Sequence, residues 1–212
     1  ARWPKIKPLE TITEAPVLLP DGTVLDVPGY DEGTGIFYEP NGDYPRVPVS
    51  PTRAQLDAAV AELDDVLSDV RFEHPHHRAG FFAALLTPLA RPLVNSPAPI
   101  FLFDAALAGA GKGKLARIAA IIGTGRAPAA TQFNGDNDEM TKCLTTFLSA
   151  GDRIILFDNV VRKFGGAALS SVVTEPYWRG RLLGQNRSWS GPVNATFFAT
   201  GNNITLDAQI IA

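Results

Sequence analysis

The sequence has one cysteine, Cys143, and three histidines in 212 residues. A lone cysteine excludes an internal disulfide and suits a reducing, cytoplasmic compartment. Within a helical pattern it reads as a small apolar packing residue. No apolar run approaches the roughly 18 residues that a membrane span needs, and no signal-peptide pattern opens the chain, so no membrane partner is expected. Positive charge is not in excess either: 19 Lys and Arg stand against 22 Asp and Glu, a formal net charge of −3. Without a global basic field, any contact with nucleic acid must come from a local patch. The histidines fall together in Glu73-His74-Pro75-His76-His77. Pro75 spoils a clean i, i+4 pair, and no cysteine or second histidine cluster completes a metal set, so a polar helix start is the better reading.

What the chain does have is core-forming material, with 45% hydrophobic residues, enough for one or two domains. Residues 1–49 are rich in Pro, Gly and Asp. Two short apolar runs flank Asp21-Gly22, a hairpin signal, and Gly33–Gly35 and Asn41-Gly42 mark further turns. This is an irregular, β-rich lead segment, serving either as a clamp on its neighbour or as a linker. Residues 50–212 differ in character. A helix start at Ser50 or Thr52 precedes apolar residues at helical spacing, Leu56, Val60, Leu63, Val66 and Leu67, with Asp57, Glu62, Asp64 and Asp65 on a solvated face. A second helix follows over HRAGFFAALLTPLARPLV, interrupted near Pro88.

Beyond it, strands and helices alternate. Strands are expected at Ile100–Phe103, Arg153–Phe157 and Asn194–Thr200. Helices are expected at Gly111–Gly123, from Asp136 or Asp138 to Ala150, and at Gly166–Glu175. Thr124–Phe133 reads as a linker, and Arg181–Trp189 as a strand or hairpin. The expected fold class is α/β, a mainly parallel sheet flanked by helices. The chain ends soon after a strand-like run and reads as a piece truncated at its C-terminus.

Three stretches carry chemistry. The first is IFLFDAALAGAGKGK, an apolar run, a small-residue loop, then Gly111-Lys112 opening a helix. Glycines let several N–H groups converge on one anion where the helix N-terminus already favours negative charge. The cradle is Ala108, Gly109, Ala110, Gly111, Lys112, Gly113 and Lys114. The full phosphate-loop pattern, Gly, four residues, Gly-Lys-Ser/Thr, is broken at both ends, by Ala106 and by Gly113. Lys114 reads equally as a phosphate contact and as a solvent-facing helix residue. The second stretch is RIILFDNV, in which Asp158 stands at the carboxyl edge of a buried strand, where ligands of open α/β sheets bind. A carboxylate there suits a hydrated Mg²⁺ beside phosphate. Asn159 follows it; an amide orients water but does not take its proton, which leaves Glu175 and Asp152 as candidate bases. The third stretch is ATFFATGNN, which ends in a polar strand tip with Asn202 or Asn203 in reach of a phosphate or a water.

In this order the three stretches resemble the ATPase core of the AAA+ class of P-loop NTPases. The segment from Trp178 to Gly184, followed by RSWSGPVNATFFATGNN, is similar to the region between the Walker B and sensor motifs of superfamily III-type helicase domains. Such domains occur in replication proteins of phages, plasmids and other mobile elements, often fused to primases. The resemblance covers residues 75–203. It implies that Lys112 contacts the β- and γ-phosphates of ATP, that Asp158 supports Mg²⁺, and that Asn202 (or Asn203) is the sensor. It further implies a homo-oligomeric ring whose completing arginine lies beyond the sensor strand, and DNA-dependent work on single-stranded or forked DNA. Arg179, Arg181, Arg187 and Trp189 are the candidates for DNA contact, since a cation beside an aromatic suits single strands. Gly113 and Asn159 depart from the pattern, which leaves a second reading open: a nucleotide-binding module that hydrolyses poorly and assembles or regulates a replication complex. A P-loop small-molecule kinase is disfavoured, because no arginine-rich lid is evident between Phe164 and Gly184.

Overall fold

A computed structural model describes residues 6–94, 96–182, 184 and 187–210. The lead segment holds five short strands: β1 (Thr11–Thr13), β2 (Val17–Leu18), β3 (Val24–Leu25), β4 (Gly29–Tyr30) and β5 (Ile36–Tyr38). β2 and β3 form the hairpin expected at Asp21-Gly22. Asp21 Oδ1 accepts from both the backbone N–H and the hydroxyl of Thr23, the local turn chemistry that makes aspartate favourable there. β5 pairs parallel with β1 and antiparallel with β4. Val17, Leu19 and Ile36 close a small core of their own.

Helices α1 (Arg53–Val66) and α2 (Pro75–Ala90) follow. Thr52 and Gln55 cap α1 reciprocally. The apolar stripe expected to pack inward is largely outside: Leu56, Val60 and Val66 are exposed, and only Leu67, just past the helix, is buried. Correct period therefore did not imply burial. α2 runs on past Pro88 rather than breaking there. The carbonyl of Pro88 accepts from Arg153 Nη2 at 2.7 Å, and the ring is buried in the core-facing side of the helix. The three histidine rings cluster at the α2 N-terminus, His74 stacked on His76 and His77 edge-on to His76, and are exposed. Among the described residues no group of His, Cys, Asp or Glu is arranged to hold a metal.

The remaining elements are β6 (Ile100–Asp104), α3 (Lys112–Thr124), β7 (Ala129–Thr131), α4 (Asn137–Ala150), β8 (Ile154–Val160), α5 (Ala167–Thr174), β9 (Tyr177–Arg181), β10 (Ser188–Pro192) and β11 (Thr196–Gly201), then a 3₁₀ turn at Ala208–Ile210. β7 lies where a linker was expected; its three residues are too few to show a period in sequence. Asp136, not Asp138, caps α4, accepting from the N–H groups of Asp138 and Glu139.

Four strands form one parallel sheet in the order β6-β11-β8-β7. Side chains of β8 alternate between its faces. Ile154 and Leu156 pack with Phe81, Leu85, Ala116 and Ala120 of α2 and α3, joined by Phe198. Ile155 and Phe157 pack on the other side with Leu144, Leu148, Leu169 and Val172 of α4 and α5, joined by Phe197. Helices thus cover both faces, which is why the central strands read as continuous apolar runs. No helix among the described residues is long and apolar enough to cross a membrane.

The lead segment is docked against this core. Arg153 Nη1 donates to Thr13 Oγ1 at 3.1 Å, Arg126 pairs with Glu14 at 3.4 Å, and Asn41 donates to the carbonyl of Gly125. Arg153 as a residue is only half-buried, yet desolvation of its guanidinium draws its pKa down to about 10. That cost is offset by hydrogen bonds to Thr13 and Pro88. Gly125 is the tightest point. It ends α3 at φ 79°, and a Cβ there would lie 2.8 Å from the Tyr44 hydroxyl and 3.0 Å from Ala15 Cβ. Gly125→Ala is therefore expected to lose about 1–2 kcal/mol of stability in urea denaturation and to open residues 6–49 to limited proteolysis. An unchanged midpoint and cleavage pattern would contradict the docking.

Candidate functional site

Parallel strands put all their carboxyl ends on one edge of the sheet, and three of the four ends carry polar chemistry there. β6 ends in Asp104 and enters the small-residue loop. Gly109 and Gly111 take φ 79° and 84°, left-handed values that glycine adopts without strain. Gly111 occupies the N-cap of α3 and no side chain caps that end, so the first N–H groups of the helix keep their capacity to bind an anion. Ala108, Gly109 and Ala110 are exposed in the loop.

Lys112 reaches back across the edge. Its Nζ donates to the carbonyl of Leu107 at 3.0 Å and to Asn202 Oδ1 at 2.6 Å. Both acceptors are neutral, and among the described residues no carboxylate lies within ion-pair distance of Lys112. Its charge is held in place without being cancelled. The partner is Asn202; Asn203 takes a left-handed turn at φ 53°. Lys114 sits exposed on α3.

Asp158 lies on β8 at a register break. Ala199 pairs with Phe157 but Gly201 pairs with Val160, so β8 carries one residue more than β11 over this interval. Asn159 absorbs it at φ 56°. Such bulges re-aim neighbouring side chains. Asp158 Oδ1 accepts from the Thr200 hydroxyl at 2.6 Å, and Thr200 Oγ1 accepts from the Asn159 N–H at 2.9 Å. Arg117 Nη2 on α3 stands 3.7 Å from Asp158 Oδ2, a half-exposed pair worth under about 1 kcal/mol. A Cβ on Gly113 would lie 3.9 Å from Asp158 Oδ1, so the carboxylate faces the first turn of α3. One carboxylate with an oxygen free of hydrogen bonds fits a hydrated Mg²⁺, which keeps most of its water and takes one or two carboxylates plus phosphate oxygens. Gly113 adds no ligand.

Lys112, Asp158 and Asn202 thus converge on one edge. The two candidate bases do not. Asp152 precedes β8 at the opposite edge, beside Arg126 and Thr124, with its carboxyl pushed up by burial. Glu175 is exposed and precedes Pro176, whose carbonyl accepts from Val193 ahead of β11, again away from the carboxyl edge. Sequence alone had no means of telling which end of a strand these loops serve.

Three residues escaped sequence reasoning. Thr200 is a buried polar residue, 3% exposed, that follows the apolar run of β11. Arg117 is one turn along α3 from Gly113. Asp104 accepts from the N–H groups of Ala105 and Ile204 at 3.0 and 3.1 Å, tying the root of the loop to the segment after Asn202. Only the polar interruption of FFAT was a usable signal in advance.

The DNA-contact candidates divide. β9 and β10 form an antiparallel hairpin. Tyr177, Arg179 and Arg181 lie exposed on one face, and Arg187 is exposed beside β10. Trp189 is half-buried and packs against the core from the other face, alongside Trp178, whose Nε1 donates to Thr145 Oγ1 at 2.9 Å. The aromatic residue that shares a face with Arg179 and Arg181 is therefore Tyr177, because side chains alternate along a strand.

The bulge makes a demand at position 159 that Asn meets better than most residues. Asn159→Val is expected to lose about 1–2 kcal/mol, while Asn159→Gly stays within about 0.5 kcal/mol. Chemical denaturation of the three proteins decides it, and equal stability of the valine and glycine variants would contradict the left-handed bulge. No protein-family model matches the chain, and no characterised protein matches it either.

Proposed function

We propose that the chain is an ATP-binding domain of the P-loop, AAA+ type, similar to the superfamily III-type helicase domains of mobile-element and phage replication proteins. The observation that carries the reading is the bond from Lys112 to Asn202 beside Asp158, three residues from three separate segments meeting where an uncapped helix N-terminus already favours an anion. In this reading the N–H groups around Gly109–Gly113 and the Lys112 ammonium take the β- and γ-phosphates. Binding pulls Lys112 from Leu107 and Asn202, and the Asn202 amide is then free to orient a water or a phosphate oxygen. Asp158 holds Mg²⁺, whose role is to neutralise charge on the phosphates. In this reading the protein works as a homo-oligomeric ring on single-stranded or forked DNA, with the exposed face of the β9–β10 hairpin as the DNA-contacting surface.

One observation favours a second reading, nucleotide binding with little turnover. Among the described residues, those placed next to Asp158 and the loop offer no free base. Asp104 spends both oxygens on backbone N–H groups, and Asn159 offers only an amide. A base supplied by a neighbouring subunit restores hydrolysis in the first reading and is missing in the second.

Lys112→Ala is expected to weaken ATP binding at least about tenfold, the loss of a charge-assisted hydrogen bond to phosphate, measured by titration calorimetry. ATP turnover is measured alongside, with and without single-stranded DNA. DNA-stimulated hydrolysis that disappears with Lys112→Ala supports the motor, and tight binding without turnover supports the assembly module. A wild-type chain that binds no nucleotide overturns both.

A further inference from the structure

The carboxylate of Asp158 has an uneven environment. Its Oδ1 is held at 2.6 Å by the Thr200 hydroxyl and faces position 113, where a Cβ would lie 3.9 Å away; among the described residues its Oδ2 has only Arg117, at 3.7 Å. The direction of the Thr200 proton follows from its partners. The backbone N–H of Asn159 can only donate, so the hydroxyl oxygen accepts there. Its single proton is left for Asp158. Thr200 is buried and belongs to the strand between β6 and β8, so this donor is anchored by the sheet rather than by a surface side chain.

We propose that Thr200 is a positioning residue of the nucleotide site, compensating from strand β11 for the hydroxyl that Gly113 lacks. In the phosphate-loop pattern a Ser or Thr after the lysine places its hydroxyl on Mg²⁺. Here that ligand is gone, and the remaining protein ligand, Asp158, is instead locked through Oδ1, which leaves Oδ2 for the cation. The Arg117 contact to Oδ2 is half-exposed and is displaced at little cost. The Asn159 bulge is part of the same device, since it aims the N–H that orients the Thr200 hydroxyl. This inference rests on the nucleotide reading given above.

The test is the gain in affinity for a non-hydrolysable ATP analogue when Mg²⁺ replaces EDTA, measured by titration calorimetry on the wild type, Thr200→Val, Thr200→Ser and Gly113→Ser. Thr200→Val is expected to lose about tenfold of the Mg²⁺-dependent gain, the effect of one hydrogen bond to a charged group, while affinity in EDTA stays within about twofold. Thr200→Ser is expected to keep the gain. A valine variant that keeps it, or that weakens binding equally with and without Mg²⁺, overturns the proposal, because a merely structural role moves both conditions together. Gly113→Ser on the otherwise unchanged chain is expected to alter the gain by less than about threefold, since Oδ1 already has its donor. A gain of tenfold or more there overturns the proposal, and this arm does not depend on the valine variant folding. A wild type that binds the analogue equally with and without Mg²⁺ sinks this inference and spares the nucleotide site; a wild type that does not bind it at all sinks both.

Discussion

The pairing of β11 with two parallel neighbours is the constraint on which the rest depends. All six residues of β11 are buried, with Phe197 facing α4 and α5 and Phe198 facing α2 and α3. A strand covered on both faces and bonded on both edges has no freedom to slip, because a shift of one residue would exchange its two apolar faces. Its carboxyl end is therefore a fixed platform. Thr200 turns from it to Asp158 on one neighbour, and Asn202 turns from it to the lysine that follows the other. The site is assembled by backbone register before any side chain chooses a rotamer.

The two ends of this sheet serve different purposes. At the carboxyl edge, glycines and an uncapped helix leave N–H groups and one ammonium unneutralised. Polar side chains there are satisfied by one another and by nearby backbone groups, and all of them but Thr200 stay partly exposed. At the opposite edge the lead segment is stitched down through Arg153, Arg126 and Gly125. The candidate site and the anchorage are thus separated by the length of a strand. That is the arrangement expected when a loop must rearrange around a ligand while its scaffold does not.

Gly113 in the loop and Asn159 after Asp158 are the two departures closest to the Asp158 carboxylate, and both acquire a physical meaning in three dimensions. Asn159 satisfies a left-handed bulge, a demand that Asn meets more readily than a longer side chain such as glutamate. Gly113 faces Asp158 Oδ1, the oxygen that Thr200 holds. Neither position is a simple deletion from a working site. They are two parts of one local arrangement around a single carboxylate.

Much of this was legible in the residues. Continuous apolar runs in IILF and FFAT announce strands buried on both faces, IFLF announces the strand at the sheet edge, and the Gly111-Lys112 junction announces a helix with its N-terminus free. The α/β class and the candidates Lys112, Asp158 and Asn202 follow from those local signals, because hydrophobic period and glycine conformation act over a few residues. Other features were out of reach. β7 is too short to show a period, α1 has the right period but little to cover it, and Trp189 points inward because of which face of its hairpin α4 occupies. The strand order alone decided that Thr200 meets Asp158, that Asn202 rather than Asn203 meets Lys112, and that Asp152 and Glu175 lie away from them. Sequence determines what each segment prefers by itself; which segments become neighbours depends on how several apolar faces are buried at once, and that is settled only when the sheet closes.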